Sequence, residues 1–183
     1  MKDSRKGTLP LFLALAAVLL ALDQWIKWWT AANFAAPVPP NLYATADAAR
    51  PLLPGVVELT RVHNYGAAWS SFSGMRWLLV AVTGVIVLGV AVLLAKGVVR
   101  HPLGMAAGCL VLSGGLGNII DRVRLGYVVD MFHFQFWPSY PVFNLADIWI
   151  VSGAVLGCMY YLWFYDKYDG KGGAHGASDT PSQ

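Results

Sequence analysis

The sequence predicts an all-α membrane protein: a four-transmembrane-helix bundle that carries a small extracytoplasmic β element. Of its 183 residues, 57% are hydrophobic and only 13% are charged, whereas a soluble domain carries about 25% charged residues. Four apolar stretches approach or exceed the roughly 18 residues that a helix needs to cross the hydrocarbon core of a bilayer. Such a chain has too little polar surface to fold as a water-soluble globule.

The four predicted spans are residues 9–29, 77–95, 103–120 and 148–165. The first span follows three basic residues and therefore resembles a cleavable signal peptide. However, it continues into Asp23 and Lys27 instead of a small-residue cleavage site, and tryptophans at positions 25, 28 and 29 suit a membrane interface. We predict that this helix is retained.

The distribution of Lys and Arg predicts the orientation, because cytoplasmic segments carry the excess of these residues. The short link and the two tails contain Lys2, Arg5, Lys6, Lys96, Arg100, Lys167 and Lys171. The two longer connections, residues 30–76 and 121–147, contain only Arg50, Arg61, Arg76, Arg122 and Arg124. We therefore predict cytoplasmic termini, extracytoplasmic long connections, one integral membrane domain over residues 1–165, and a disordered cytoplasmic tail over 166–183.

Several classes of function have no support in the sequence. The net charge of +3 is not concentrated in a basic block, so nucleic-acid partners are not expected. His63 and His133 lack the spacing of zinc ligands, and no Gly-x-Ser-x-Gly element supports a serine nucleophile. Cys109 and Cys158 lie inside apolar spans, where small buried hydrophobic residues are the simplest interpretation. We predict neither a metal nor a cofactor.

The polar connections differ in character. Residues 34–54 are rich in Ala and Pro and predict an irregular loop, to which no role is assigned. Residues 56–62 are β-branched and partly alternating, and they end at a turn-prone segment, 64–66, which together predict a short strand and a turn. Within residues 127–136, Phe132, Phe134 and Phe136 alternate with His133 and Gln135, a pattern typical of a strand or of an interfacial segment with one apolar side.

Three carboxylates on the connection of 27 residues between the last two spans are the main candidates for chemistry: Asp121, Asp130 and Asp147. A carboxylate near hydrocarbon is costly to ionise, so such residues are functional candidates by default. Two carboxyls held close together share one proton. The ionised member of the pair then removes a proton from water while the protonated member polarises a peptide carbonyl. This chemistry requires no metal.

Each candidate also has a structural explanation. Asn144 is placed to be the N-cap of the fourth span and Asp147 its N3 carboxylate. Asp121 and Arg122 are placed to form an ion pair at the end of the third span. Asp130 has the weakest structural explanation, because a carboxylate between two apolar residues of a strand caps nothing.

The remaining polar and small residues have structural explanations too. Asp23 and Lys27, four apart on a helix, neutralise each other in the simplest interpretation. Residues 64–66 are explained as a turn, and Gly114, Gly115 and Gly117 as close helix packing.

Five blocks, in order along the chain, resemble the lipoprotein signal peptidases (signal peptidase II). They are Asp23-Gln24 with Lys27, Asn64-x-Gly66-Ala67-Ala68, Gly114-Gly115-x-Gly117-Asn118-x-x-Asp121-Arg122, Val128-Val129-Asp130, and Phe143-Asn144-x-Ala146-Asp147. Any one block is weak evidence, but five in order between four spans are highly specific. Two features depart from the family pattern: the loop before Pro54 is long, and Trp69 stands where phenylalanine is common.

The resemblance implies an aspartic endopeptidase whose catalytic pair is Asp130 and Asp147, with Asp121 as the rival for the first position. It implies that Asp121, Arg122 and Asn118 hold the shape of the site. The other implied supporting residues are Asn64 with Gly66 and Asn144, which offer hydrogen bonds to the pair or the substrate, and Asp23 with Lys27, which anchor the end of the first span.

The resemblance also implies the substrate and the location. The family cuts lipid-modified precursor lipoproteins just before a cysteine that carries diacylglycerol, in the bacterial cell inner membrane, with the active site at the periplasmic face. Membrane lipid and globomycin-type inhibitors are the other implied partners.

Two other classes of function remain as alternatives. In a small proton-coupled transporter, Asp23, Lys27, Asp121 and Asp147 would form a proton relay. A non-enzymatic scaffold would use the glycines for helix association. The transporter predicts charges through the depth of the membrane, whereas these charges cluster at one surface.

Overall fold

The computed structural model describes residues 5–37 and 49–170, and within them four helices are long and apolar enough to cross a membrane. These helices are α1 (Arg5–Asn33), α2 (Arg76–Lys96), α3 (Pro102–Leu125) and α4 (Leu145–Trp163). A short helix, α5 (Tyr165–Tyr168), follows α4. The structure has a helix at each of the four predicted spans, with boundaries that shift by up to five residues at the polar ends.

α3 is the central helix of the bundle. It packs against α1, α2 and α4, and most of it is buried, whereas the other three spans are largely exposed. A Cβ atom on Gly114 would overlap the carbonyl oxygen of Ala146 on α4, and one on Gly117 would lie 2.5 Å from Oδ2 of Asp23 on α1. The missing side chains therefore allow α4 and α1 to approach α3 closely, as the packing interpretation of these glycines predicts.

The two cysteines have different environments. Cys109 on α3 is fully buried and packs with Ala16, Leu94 and Met105, so its predicted burial is confirmed. Cys158 on α4 is exposed on the outside of the bundle, and its predicted burial is wrong. The outward face of a membrane helix is as apolar as its packed face, so an apolar neighbourhood in the sequence does not distinguish the two.

A three-stranded antiparallel sheet, in the order β1-β2-β3, lies at one end of the bundle. Its strands are β1 (Arg50–Leu53), β2 (Val57–Asn64) and β3 (Val128–Phe134). Glu58 pairs with His133 and Val62 with Asp130, with a register shift between these pairs. Both predicted strand segments are confirmed, and the small β element is therefore a sheet.

β1 lies in the segment that was predicted to be an irregular loop, so that prediction is wrong for residues 50–53. Pro51 hid the strand in the sequence, but proline is tolerated on an edge strand, where its lack of an N–H disrupts no ladder. The pairing with β2, which a local pattern does not reveal, forms this strand. Residues 38–48 of the same predicted loop lie outside the described residues.

Two arginines hold the sheet against the end of α1. Arg61 of β2 donates to the carbonyl oxygens of Ala31 and Phe34, each at 3.0 Å, and the last carbonyls of a helix otherwise lack partners. The guanidinium group of Arg50 lies 4.5 Å from the centre of the Phe34 ring. We call this part of the bundle, where α1 and α3 end and α2 and α4 begin, the sheet end.

Two predicted boundaries need correction. α3 continues past residue 120 to Leu125 and ends at Gly126 in a left-handed conformation, φ 90°; Asp121 therefore lies on a helix and not on the connection. The tail was predicted to be disordered from residue 166, but its first residues belong to α5, and Asp169 accepts hydrogen bonds from Tyr160 and the backbone of Arg100. Residues 171–183 lie outside the described part of the chain.

The close approach of α3 and α4 generates a stability prediction. Gly114→Ala should destabilise the protein by about 1–3 kcal/mol, because the new methyl group meets the backbone of α4. The matched control is Gly84→Ala on α2, where nothing lies within 4 Å of the added atom, and where alanine should be neutral or slightly stabilising. Thermal unfolding of both variants in detergent checks this, and equal melting temperatures would contradict the packing described.

Candidate active site

The three candidate carboxylates come together at the sheet end from three different elements. Asp121 lies near the end of α3, Asp130 in the middle of β3, and Asp147 in the first turn of α4. Asp121 and Asp130 are almost completely buried, whereas Asp147 is partly exposed. The structure thus assembles a polar cluster from residues up to 26 positions apart in a chain that is otherwise apolar.

Asp130 is a buried carboxyl held by two amide groups. Nδ2 of Asn144 donates to its Oδ1 at 2.6 Å, and Nδ2 of Asn64 donates to its Oδ2 at 3.0 Å. Burial, and secondly the negative charge of Asp147, raise the pKa of Asp130 to about 8, against the opposing effect of the two amides. Asp130 is therefore protonated at neutral pH.

Each carboxylate oxygen of Asp147 accepts a hydrogen bond. Asp147 forms a capping box with Asn144: Oδ1 of Asn144 accepts from the Asp147 backbone N–H at 3.0 Å, and Oδ2 of Asp147 accepts from the Asn144 backbone N–H at 3.2 Å. The capping interpretation is confirmed. Its other oxygen, Oδ1, accepts from Nδ2 of Asn118 at 2.9 Å. The capping contact does not exclude a role for Asp147 in proton transfer, because the asparagine that caps α4 also holds Asp130.

A buried cluster of charges joins α1 to α3 beside these residues. Nζ of Lys27 lies 2.9 Å from Oδ2 of Asp23 and 3.2 Å from Oδ2 of Asp121. Asp23 also accepts from the backbone N–H of Ala146 at 2.9 Å, which ties α1 to the start of α4. The predicted pairing of Asp23 with Lys27 is confirmed, although it is one contact of several.

Asp121 does not pair with Arg122 as the sequence suggested; its partner is Lys27. Consecutive residues of a helix point about 100° apart, so the two side chains leave α3 in different directions. Asp121 also accepts from the backbone N–H of Val129 at 3.2 Å, which connects α3 to β3. Gln24, which was not singled out as a site residue, donates to Oδ1 of Asp121 at 3.2 Å.

Arg122 connects α3 to the turn that follows β2. Its Nη2 donates to the carbonyl oxygen of Gly66 at 2.7 Å. Gly66 has no room for a side chain, because a Cβ atom would lie 2.5 Å from the carbonyl oxygen of Ser71. The next residues include Trp69 and Phe72 at positive φ (51° and 58°), which is uncommon for large residues.

A cleft of about 570 Å³ lies on the sheet next to this turn. Its lining includes Thr60, Trp69 and Tyr140 together with Glu58 and His133, whose Nδ1 lies 2.8 Å from Oε1 of Glu58. Hydrogen bonds from His133 and then Gln135 lower the pKa of Glu58. This pair was not predicted from the sequence, in which its only signal is the alternation of β2 and β3.

The arrangement is suited to acid–base chemistry by two carboxyls. Asp130, buried and protonated, is placed to donate a proton, and Asp147, partly exposed and held by amide donors, is placed to accept one from water. Two carboxyls whose environments differ in this way are suited to different acid–base roles. Among the described residues, no group of three or more His, Cys, Asp or Glu side chains is arranged to hold a metal ion.

Comparisons with known proteins agree on one family. A family model described as signal peptidase (SPase) II matches residues 15–164. The lipoprotein signal peptidase of Streptococcus pyogenes serotype M6 is 36% identical over 86% of this chain and 96% of its own length. That of Enterococcus faecalis is 34% identical over 93% of this chain and 98% of its own length.

Two solved structures share the fold. Both are described as bacterial membrane enzymes determined by the in meso method, at 2.3 and 1.9 Å resolution. The first has a TM-score of 0.70 at 23% identity, over 97% of this chain and 95% of that one. The second has a TM-score of 0.68 at 26% identity, over 86% and 94%.

The environment of Asp130 generates a spectroscopic prediction. Infrared difference spectra should show a protonated carboxyl at neutral pH that titrates at about 8 and is absent in Asp130→Asn. In Asp147→Asn, where the neighbouring charge is gone, this titration should move to lower pH. A carboxyl band that is unaffected by Asp130→Asn would show that another group carries the proton.

Proposed function

This chain belongs to the lipoprotein signal peptidase (signal peptidase II) family, and we propose that Asp130 and Asp147 are the carboxyls with which it cleaves its substrate. Membership makes it an aspartic-type peptidase that removes signal peptides from prolipoproteins. The alternative of a small proton-coupled transporter is not supported. One observation carries the proposed pair: the side chain of Asn144 donates to Asp130 and accepts from the backbone of Asp147, so one residue places both.

In the proposed mechanism, Asp147 is the general base and Asp130 the general acid. Asp147 removes a proton from water as the oxygen attacks the carbonyl carbon of the scissile peptide. Asp130 donates its proton to the carbonyl oxygen, which gives a tetrahedral diol with no covalent enzyme intermediate. Transfer of the proton on Asp147 to the amide nitrogen, and return of one diol proton to Asp130, break the C–N bond and restore the pair.

The other residues of the five blocks, in this proposal, support the pair without reacting. Asn64 and Asn144 hold Asp130, and Asn118 holds Asp147. Asp121 is assigned to shape and not to catalysis, because Lys27 and the β3 backbone already occupy its carboxylate. Further from the pair, Asp23 ties α1 to α4, while Arg122 holds Gly66 and the turn beside the site.

We further propose that the substrate is a precursor whose cysteine bears diacylglycerol, and that the cut falls just before that cysteine. A pair located where the helices end allows the signal helix and the lipid to remain in the bilayer during cleavage. The cleft on the sheet is where we expect the chain after the cysteine to lie. Globomycin-type cyclic peptides should occupy the same site.

The proposed location is the bacterial inner membrane, with both termini in the cytoplasm and the sheet end at the periplasmic face. The excess of Lys and Arg at the opposite end of the bundle supports this orientation. The exposed tryptophans Trp25, Trp28 and Trp77 near the sheet end suit the outer interface.

The central prediction concerns cleavage by substituted enzymes. Asp130→Asn and Asp147→Asn should each remove nearly all cleavage of a lipidated precursor, and the double substitution should cost little more, because residues that act as a unit are not additive. Each variant should remain folded, as checked by thermal unfolding. Loss of capping alone would cost only about 0.5–2 kcal/mol of stability and leave measurable turnover.

Asp121→Asn is the matched control, because it changes a neighbouring buried carboxylate. It should lower thermal stability while the folded fraction still cleaves. If folded Asp121→Asn is inactive and Asp130→Asn is active, the pair must be reassigned to Asp121 and Asp147.

The orientation is tested with single cysteines in a chain whose Cys109 and Cys158 are replaced by alanine. Cysteine at Ser73, which is exposed at the sheet end, should react with a membrane-impermeant maleimide on intact spheroplasts. Cysteine at Val98, exposed at the other end, should react only after permeabilisation. The reverse pattern would place the site on the cytoplasmic side.

A further inference from the structure

Two of the three asparagines around the pair are oriented by backbone donors. The N–H of Gly66 donates to Oδ1 of Asn64 at 2.9 Å, and the N–H of Asp147 donates to Oδ1 of Asn144 at 3.0 Å. Since each amide oxygen faces a donor, each amide NH₂ is directed to Asp130. The backbone therefore determines that both amides face the proposed acid with their NH₂ groups and not with their oxygens.

The third asparagine, Asn118, is oriented by a side chain. Its Oδ1 lies 3.1 Å from Nζ of Lys27 and also accepts from Asn144 at 3.3 Å. An ammonium group is only a donor, so the atom that faces it is the amide oxygen. The NH₂ group of Asn118 must then face Oδ1 of Asp147, at 2.9 Å.

Lys27 is itself fixed in place. Its side chain is 3% exposed, and its ammonium group is held by Asp23 and Asp121. Among the described contacts it forms no ion pair with Asp130 or Asp147. Its charge lowers the pKa of Asp130 through space, whereas its connection to Asp147 passes through another residue. Asn118 is the residue that contacts both Lys27 and the proposed base.

We propose that Lys27 is a positioning residue, which orients the Asn118 amide so that its NH₂ group holds Asp147 for proton abstraction. Without the ammonium group, only the longer hydrogen bond from Asn144, at 3.3 Å, would hold the amide oxygen of Asn118. An amide that turned over would present its oxygen to the carboxylate that has to accept the proton and repel it. The inference rests on the proposed function, because it matters for the reaction only if Asp147 is the base.

A double-mutant cycle of Lys27→Met and Asn118→Leu tests the inference. Each single variant should lower kcat for a lipidated precursor by about 10- to 100-fold, the effect of losing one hydrogen bond to a charged group. KM should change little, because neither side chain is placed against the substrate. In the Asn118→Leu background, Lys27→Met should cause little further loss of kcat, because the residue through which it acts is gone. Lys27→Arg, which keeps a donor-only group, should recover part of kcat.

Gln24→Met is the control for a purely structural effect. It removes hydrogen bonds to Asp23, Asp121 and the carbonyl of Gly117, but leaves Lys27 and Asn118 in contact. It should lower the melting temperature, and its effect on kcat should multiply with that of Asn118→Leu.

Folding losses can be separated from the effect on kcat. Lys27→Met leaves two buried carboxylates without their cation, so the cycle is repeated in an Asp121→Asn background, which restores the net charge of the cluster. If the kcat losses from Lys27→Met and Asn118→Leu multiply in both backgrounds, or if Lys27→Met keeps normal kcat, the inference is wrong. Either outcome leaves the proposed pair in place, whereas an active Asp147→Asn would overturn the pair itself.

Discussion

The sheet end is organised around one buried cation, the ammonium group of Lys27. Its partners are Asp23 on the same helix and Asp121 and Asn118 on α3, and Asp23 extends the connection to the backbone at the start of α4. Removing one partner of a buried ion pair leaves an uncompensated charge, at a cost of about 3–5 kcal/mol. The positions of α1, α3 and α4 at this end are therefore set by charge pairing, whereas Ala16, Leu94 and Met105 pack the other end with apolar side chains.

The proposed pair depends on an asymmetry that this framework creates. Asp130 comes from the buried part of β3, and burial raises the pKa of its carboxyl. Asp147 comes from the first turn of α4 and is partly exposed. Asn144 starts that helix and holds Asp130, so the formation of α4 and the assembly of the pair use the same residue. A helix cap and a contact to the proposed acid are thus two consequences of one side chain.

The sequence predicted the parts of this architecture that composition and local pattern encode. The four apolar helices follow from long apolar runs. The proposed site residues were named through the resemblance of five blocks to a family, the blocks that contain Asp23, Asn64, Asp121, Asp130 and Asp147. β1 was missed because it depends on pairing with β2. The partner of Asp121 was misassigned to Arg122 because adjacency in sequence was taken as contact, whereas the real partner, Lys27, is 94 positions away. The exposure of Cys158 was missed because lipid and protein are equally apolar surroundings.

The most direct test of the proposed pair is a crystal structure of the protein with a substrate-like lipopeptide whose scissile bond is replaced by a hydroxyl-bearing tetrahedral isostere. The hydroxyl group occupies the position of the attacking water and carbonyl oxygen in an aspartic peptidase. It should lie within hydrogen-bond distance of both Asp130 and Asp147, with Asp121 still bound to Lys27. A hydroxyl group held between Asp121 and Asp147, or one that contacts neither Asp130 nor Asp147, would contradict the account.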